Sequence, residues 1–270
     1  MTTTLNSLRR LVPVTFVALA VLLLGACTND PDAGTNASDT NELSIDALYL
    51  TGGGWHDFER QKELVPPGID DQLDHVEIDW TIVHQGEGDP EHKLSVLQEE
   101  NWAADYDVIV HNHAFGRVED AAFVEHVVEH HQGTPAVLIH ASNHSYRYSE
   151  PADPWFELIG LQSMGHEDAR PLTVETIRSD DPIMEDFPNE WETPVEDELY
   201  VVEKVWGDIT PLARSYGEET ETRHPVIWRH EMQDTRVFST TLGHHNEMYE
   251  QPEFLGVIAN GLLWSIGELE

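Results

Sequence analysis

The chain predicts an α/β fold built on a mostly parallel sheet, and three observations predict it. Short apolar runs rich in β-branched residues, with Asp107–Val110 and Pro135–Ile139 the clearest, read as buried strands. Stretches with apolar residues at helical spacing lie between such runs, as in Val118–His131. Near the carboxyl end, Arg236–Leu242 reads as a strand that Gly243 ends, His244-His245-Asn246-Glu247 as a polar turn, and Phe254–Ile266 as a helix entered near Pro252. In open α/β sheets, ligands bind in the crevice where strands run out into such turns. That strand–turn–helix unit is therefore a candidate site.

The first residues stand apart. Arg9 and Arg10 precede an apolar run, Leu11–Leu24, and the order Leu-Gly-Ala-Cys27 closes it. The run is short for a membrane span and has the layout of an export signal. It resembles the lipobox of bacterial lipoproteins, which implies a signal peptide over residues 1–27 and lipidation of Cys27. The expected location is exported and lipid-anchored to the cell envelope, on the outer membrane facing the periplasm in a cell with two membranes. Residues 28–44 then read as a polar tether, and residues 45–270 as one domain. Cys27 is the only cysteine, so no disulfide forms within the chain and no thiol remains for catalysis.

The charge is extreme. Fourteen basic against 51 acidic side chains give −37, and removal of Arg9 and Arg10 with the leader leaves 12 − 51 = −39. Such a surface repels nucleic acid and anionic lipid, so neither is an expected partner, and membrane attachment would run through the lipid anchor alone. The acids are spread along the chain, which favours adaptation to a saline habitat over a localised cation site.

Taken in order, Ile45–Leu50 is the first strand, followed by Gly52-Gly53-Gly54-Trp55-His56-Asp57. Glycines there permit close backbone approach, for example to a phosphate or a sugar, but the spacing is not the dinucleotide fingerprint and no P-loop lysine follows. Glu59–Leu64 reads as a helix interrupted by Pro66-Pro67-Gly68, His75–Val83 as a strand and Glu91–Trp102 as weakly helical. Asp107–Val110 runs into His111-Asn112-His113, and His126, His130 and His131 fall on the solvated side of the helix that follows. Pro135–Ile139 ends in His140, ahead of Ala-Ser-Asn-His144. Ser145–Ala169, with Tyr146, Tyr148, Trp155 and Phe156, reads as an excursion whose aromatics stack on a sugar or cover the sheet. Leu172–Ile177 and Tyr200–Val205 resume strand character, and Pro225–Trp228 with Arg236–Leu242 forms a hairpin around Met232–Asp234.

Histidine thus recurs where strands end. A parallel sheet carries those ends to one edge, so His56, His111 or His113, His140 and His244 are candidates to converge there.

Five stretches together resemble the ThuA-like (trehalose utilisation) family. They are Gly-Gly-Gly-Trp-His-Asp-Phe58, Leu-Ile-His140, Asp-Glu-Leu-Tyr200, Arg-His-Pro-Val-Ile-Trp228 and Thr-Thr-Leu-Gly-His-His-Asn-Glu247. Asp234-Thr235 departs from the pattern, since the family commonly has a glycine before the residue matching Arg236. The resemblance implies a flavodoxin-like, class I glutamine amidotransferase-like three-layer sandwich and a link to disaccharide metabolism. Glutaminase activity is excluded, because it needs a cysteine nucleophile.

Two functions follow. The first is an enzyme of carbohydrate metabolism acting on a disaccharide or keto-sugar. His140, Glu198 and His244 would be catalytic, and His56, His140 and His244 would hold a divalent metal such as zinc or, with Glu198, form an acid–base set. Asp197 would orient an imidazole, while Gly53, Gly54, Trp55, Asp57 and Asn246 would bind substrate. The second is a surface-tethered, non-catalytic sugar-binding or interaction module using the same turn and aromatics.

Overall fold

The computed structural model describes residues 43–131 and 133–270. The leader, Cys27 and nearly all of the tether lie outside the described residues. The first half of the domain comprises β1 (Leu43–Gly53), α1 (Phe58–Asp70), β2 (Val76–His84), β3 (Val108–Ala114), α2 (Ala121–His131) and β4 (Ala136–Ile139). There follow α3 (Asp153–Ile159), β5 (Leu161–His166), β6 (Thr173–Thr176), β7 (Glu190–Glu192) and β8 (Tyr200–Val205). The chain ends with β9 (Thr210–Tyr216), β10 (Arg223–Met232), β11 (Thr235–Thr240) and α4 (Pro252–Ile266).

The central sheet runs β2-β1-β3-β4-β11-β10-β9-β6-β7. Its first five strands are parallel, in registers such as Leu48 opposite Ile109 and Val137 opposite Phe238. The hairpin from β10 to β11 reverses direction, and β9, β6 and β7 extend the sheet antiparallel. A separate antiparallel ribbon joins β5 to β8. The strand over β9 was not expected, because Pro211 and the charged Arg214 interrupt its apolar pattern; the strand nonetheless pairs on both sides.

Alternation along each strand feeds two cores. Ile45, Ala47, Tyr49, Val108 and Val110 meet Val65 and Ile69 of α1 and Phe254, Val257, Ile258 and Leu262 of α4. On the other face, Leu48, Leu50, Ile109 and Leu138 meet Phe123, Val124, Val127 and Val128 of α2 and Trp155 and Phe156 of α3. The result is a three-layer α/β sandwich of the expected class. Each large apolar side chain buried this way contributes about 1.5–3 kcal/mol.

Several elements differ from the expectation. Helix α1 does not break at Pro66 and Pro67 but continues to Asp70. A proline inside a helix costs about 3 kcal/mol, and here burial of Val65, Pro66 and Ile69 offsets it. Gly68 belongs to that contact, since a Cβ there would come within 2.8 Å of Leu255 on α4. Glu91–Trp102 yields only a single turn at Val96–Gln98. Polar side chains capture the backbone donors nearby, Asp89 accepting from Glu91 N and Gln85 from Ser95 N. In the excursion after Ser145, the rings of Tyr146, Trp155 and Phe156 are buried in the second core and cover the sheet, while Tyr148 stays exposed.

His131 is not solvated but fully buried beside Trp102, because α2 rolls its last turn onto the sheet. His126 and His130 remain partly exposed. Among the described residues, no helix is long and apolar enough to cross a membrane.

Candidate functional site

Three parallel strands deliver one histidine each to the carboxyl edge of the sheet. Strand β1 ends at Gly53, and Trp55, with a left-handed backbone (φ 68°), turns the chain so that His56 follows. Strand β4 stops at Ile139, and His140 is itself left-handed (φ 43°). That conformation costs a non-glycine residue about 1–2 kcal/mol and is tolerated where surrounding contacts fix it. Beyond β11, Gly243 (φ 120°) turns the chain into His244. A fourth segment, the approach to β8, brings Asp197 and Glu198.

The three imidazoles meet, with ring centroids 4.9 Å apart for His56–His140 and His56–His244 and 5.5 Å for His140–His244. One nitrogen from each lies within 4.8 Å of the others. Glu198 faces them, its Oε2 3.5 Å from His140 Nε2 and its Oε1 3.5 Å from His244 Nδ1. His166 on β5 approaches the same carboxylate at 3.4 Å.

Backbone bonds set the orientation. His140 Nδ1–H donates to the Thr241 carbonyl at 2.6 Å, which turns Nε2 toward the cluster and, in the neutral ring, leaves its lone pair there. Asp197 is fully buried and accepts from Gly243 N and His244 N at 2.9 and 3.2 Å and from Glu198 N at 2.8 Å. One carboxylate therefore clamps the turn carrying His244 to the segment carrying Glu198.

Burial, reinforced by His140 and His244, holds the His56 imidazole well below its ordinary pKa, and burial with the neighbouring His140 pulls His244 down to about 4. For His140 burial acts downward too, but Glu198 and Asp197 outweigh it and the net shift is upward. Burial opposes ionisation of Glu198, and the facing histidines, His140 foremost, overcome it and hold the carboxyl well below its usual range.

The donor set fits a divalent cation. His56 Nδ1, His140 Nε2 and His244 Nδ1 are buried and have no hydrogen-bond partner, a costly condition for polar atoms unless something else satisfies them. Ligands around one tetrahedral zinc lie about 3.3 Å apart at zinc–nitrogen distances of about 2.0–2.1 Å, so small ring movements suffice to close the set. Three imidazoles with a carboxylate beside them suit zinc and neighbouring ions.

His56, His244 and Glu198 floor a cavity of about 250 Å³ that Trp55, His144, Arg147, His166 and Tyr200 also line, with His140 buried behind them. The His144 and Tyr200 rings stack at 3.6 Å with 2° between planes. Trp55 is 56% exposed at the mouth. Of the other residues expected to bind substrate, Gly53, Gly54, Asp57 and Asn246 do not line the cavity. The close approach at Gly53 is to the chain itself, since a Cβ there would overlap the Ala114 backbone. Asp57 caps α1 by accepting from Arg60 N and also accepts from the Asn246 amide, tying the turn after β11 to the first helix.

His111 and His113 do not join the cluster. Strand β3 continues to Ala114, so both lie inside it and point into the second core. There His113 donates to Ser145 Oγ, His111 Nδ1 pairs with His113 Nε2 at 2.9 Å, and His111 Nε2 pairs with His131 Nε2 at 3.1 Å. Arg147 and His166 were missed, because the excursion they come from shows no strand-end pattern.

The ThuA family model, described as trehalose utilisation, matches residues 80–265. A ThuA-like protein from Parabacteroides merdae superposes with a TM-score of 0.60 at 17% identity, over 83% of this chain and 90% of that one. A ThuA-like protein from Bacteroides uniformis gives 0.60 at 14% identity, over 88% and 97%. These likenesses carry the fold alone. No curated protein matches the sequence.

Proposed function

The chain belongs to the ThuA family, associated with trehalose utilisation, and from that premise we propose that it is an enzyme acting on a sugar by metal-assisted acid–base chemistry. The observation that carries this reading is the convergence of three buried, unpartnered imidazole nitrogens beside an anionic glutamate at the sheet edge. His56, His140 and His244 would hold the cation. Bound there, a zinc-like ion supplies Lewis acidity, which polarises a sugar carbonyl or lowers the pKa of water. Glu198 serves as the base. Its carboxylate accepts a proton from the substrate, or from water, and returns it to the leaving or enolic oxygen. Thr241 and Asp197 keep the imidazole and the turn in place during that exchange, and the stacked His144–Tyr200 pair walls the cavity.

The test is metal content of the untagged protein after loading with zinc, manganese or nickel, compared with the His140→Ala/His244→Ala double variant. One ion per chain, lost in the variant, is expected; Glu198→Gln should keep the ion and abolish turnover of keto-disaccharides. No bound ion under any loading condition would refute the metal site. An ion without turnover on any sugar would favour the tethered binding module instead.

A further inference from the structure

Arg147 stands in the cavity wall without a carboxylate. Among the described residues no acidic group lies within ion-pairing distance of it, nor of Arg117 or Arg178, whereas Arg60, Arg170, Arg214, Arg223, Arg229 and Arg236 each have one; of the three without a partner, Arg147 alone lines the cavity.

Its geometry shows which donors are engaged. Nη1 donates to His144 Nδ1 at 3.0 Å and to the Met164 carbonyl at 3.2 Å. His144 in turn donates from Nε2 to Ser163 Oγ at 2.9 Å, so the fork is braced from behind by neutral groups. Nε is buried and has no hydrogen-bond partner. Gly116 lies beside it, and a Cβ at Gly116 would stand 3.7 Å from both Arg147 Nε and the Trp55 ring, in the slot between them. The exposed Trp55 ring also carries Arg117, its guanidinium 5.5 Å from the centroid, so a second cation flanks the mouth. Arg117, too, has no carboxylate within ion-pairing distance among the described residues.

A guanidinium held by neutral partners, facing a cavity, is the usual receptor for carboxylate or phosphate oxygens, because its planar fork matches two of them at once. The carboxylate of Glu198 in the same cavity faces His140, His166 and His244, so an anionic group on the substrate would be the partner for Arg147. We propose that the substrate is an anionic sugar, bearing a carboxylate or phosphate group that Arg147 receives while the sugar ring reaches the His56–His140–His244 cluster. This rests on the sugar-enzyme reading above and narrows its substrate class.

The experiment is calorimetric titration of the zinc-loaded full chain with D-glucuronate, D-glucose 6-phosphate and D-glucose, repeated on Arg147→Gln and Arg147→Lys. In the wild type at least one anionic sugar should bind about tenfold or more tighter than glucose, the ratio one charge-assisted arginine contact supplies. Arg147→Gln should bring the ratio of anionic-sugar to glucose affinity down to about one, and Arg147→Lys should keep part of it. Glucuronate as the preferred probe assigns a carboxylate, and glucose 6-phosphate a phosphate. Equal binding of anionic and neutral sugars, no saturable binding of either anionic sugar, or a preference that survives in Arg147→Gln would overturn the proposal. Zinc stoichiometry, measured on every variant, keeps the two readings apart. Loss of zinc in the wild type counts against the metal centre, whereas an intact zinc site with no anion preference counts against Arg147 alone.

Discussion

Replacing Asp197 by asparagine tests whether the site is held together by one buried carboxylate. In the wild type both oxygens accept: Oδ1 from Glu198 N and His244 N, Oδ2 from Gly243 N. Asparagine keeps the shape and one acceptor, so the first two bonds can persist. Its amide then faces Gly243 N–H, donor against donor, in a position fully removed from solvent. Leaving one buried donor unsatisfied costs about 1–3 kcal/mol. For a domain of this size each kcal/mol moves the melting temperature by about 2–4 °C, so a fall of about 2–12 °C is expected. The turn carrying His244 also loses its anchor, and loss of such a supporting contact lowers metal affinity by about 10–100-fold. Urea unfolding of the metal-free protein measures the first quantity without ligand linkage; competition with a chromophoric chelator measures the second. A metal-free midpoint within about 0.5 kcal/mol of wild type, with unchanged zinc affinity, would refute the clamp.

Gly53→Ala should cost on the order of 3 kcal/mol or more, because the residue has φ 103° and its Cβ would overlap the Ala114 backbone; normal stability with impaired sugar binding would return the glycine to a ligand-contacting role. Burial holds His113 down to about 3 and His131 down to about 4, against 6.5 for a free imidazole. As pH falls below about 6.5 the unfolded chain takes up protons that the folded one refuses, so stability should decline toward pH 4, by up to about 1.4 kcal/mol per pH unit for each group. His131→Phe removes one such group, and a pH slope of urea midpoints identical to wild type over that range would show that the buried histidines do not set it.

Much of the site was legible because strand ends are local signals. Leu-Ile-His140 and Leu-Gly-His244 stop their strands within the same few residues, and parallel pairing carries both ends, with that of β1, to one edge. The same logic failed for His111 and His113. The end of β3 is set not by its own residues but by β1, whose register continues to Gly53 opposite Ala114 and draws both histidines into the ladder. Once inside a strand, alternate residues share a face, so the two point together into the core where His131 meets them.

The order and character of the chain's apolar runs therefore determined the α/β class, the parallel half of the sheet and the placing of His56, His140 and His244, since each depends on residues adjacent in sequence. Tertiary structure alone decided the antiparallel extension, the burial of the histidine chain, and the arrival of Arg147 and His166 beside Glu198 at the cavity. His166 and the segment carrying Asp197 and Glu198 reach the sheet edge by long-range pairing, β5 with β8 and Arg170 with Asp197. Such contacts are set by the register between distant strands, which no local spacing encodes.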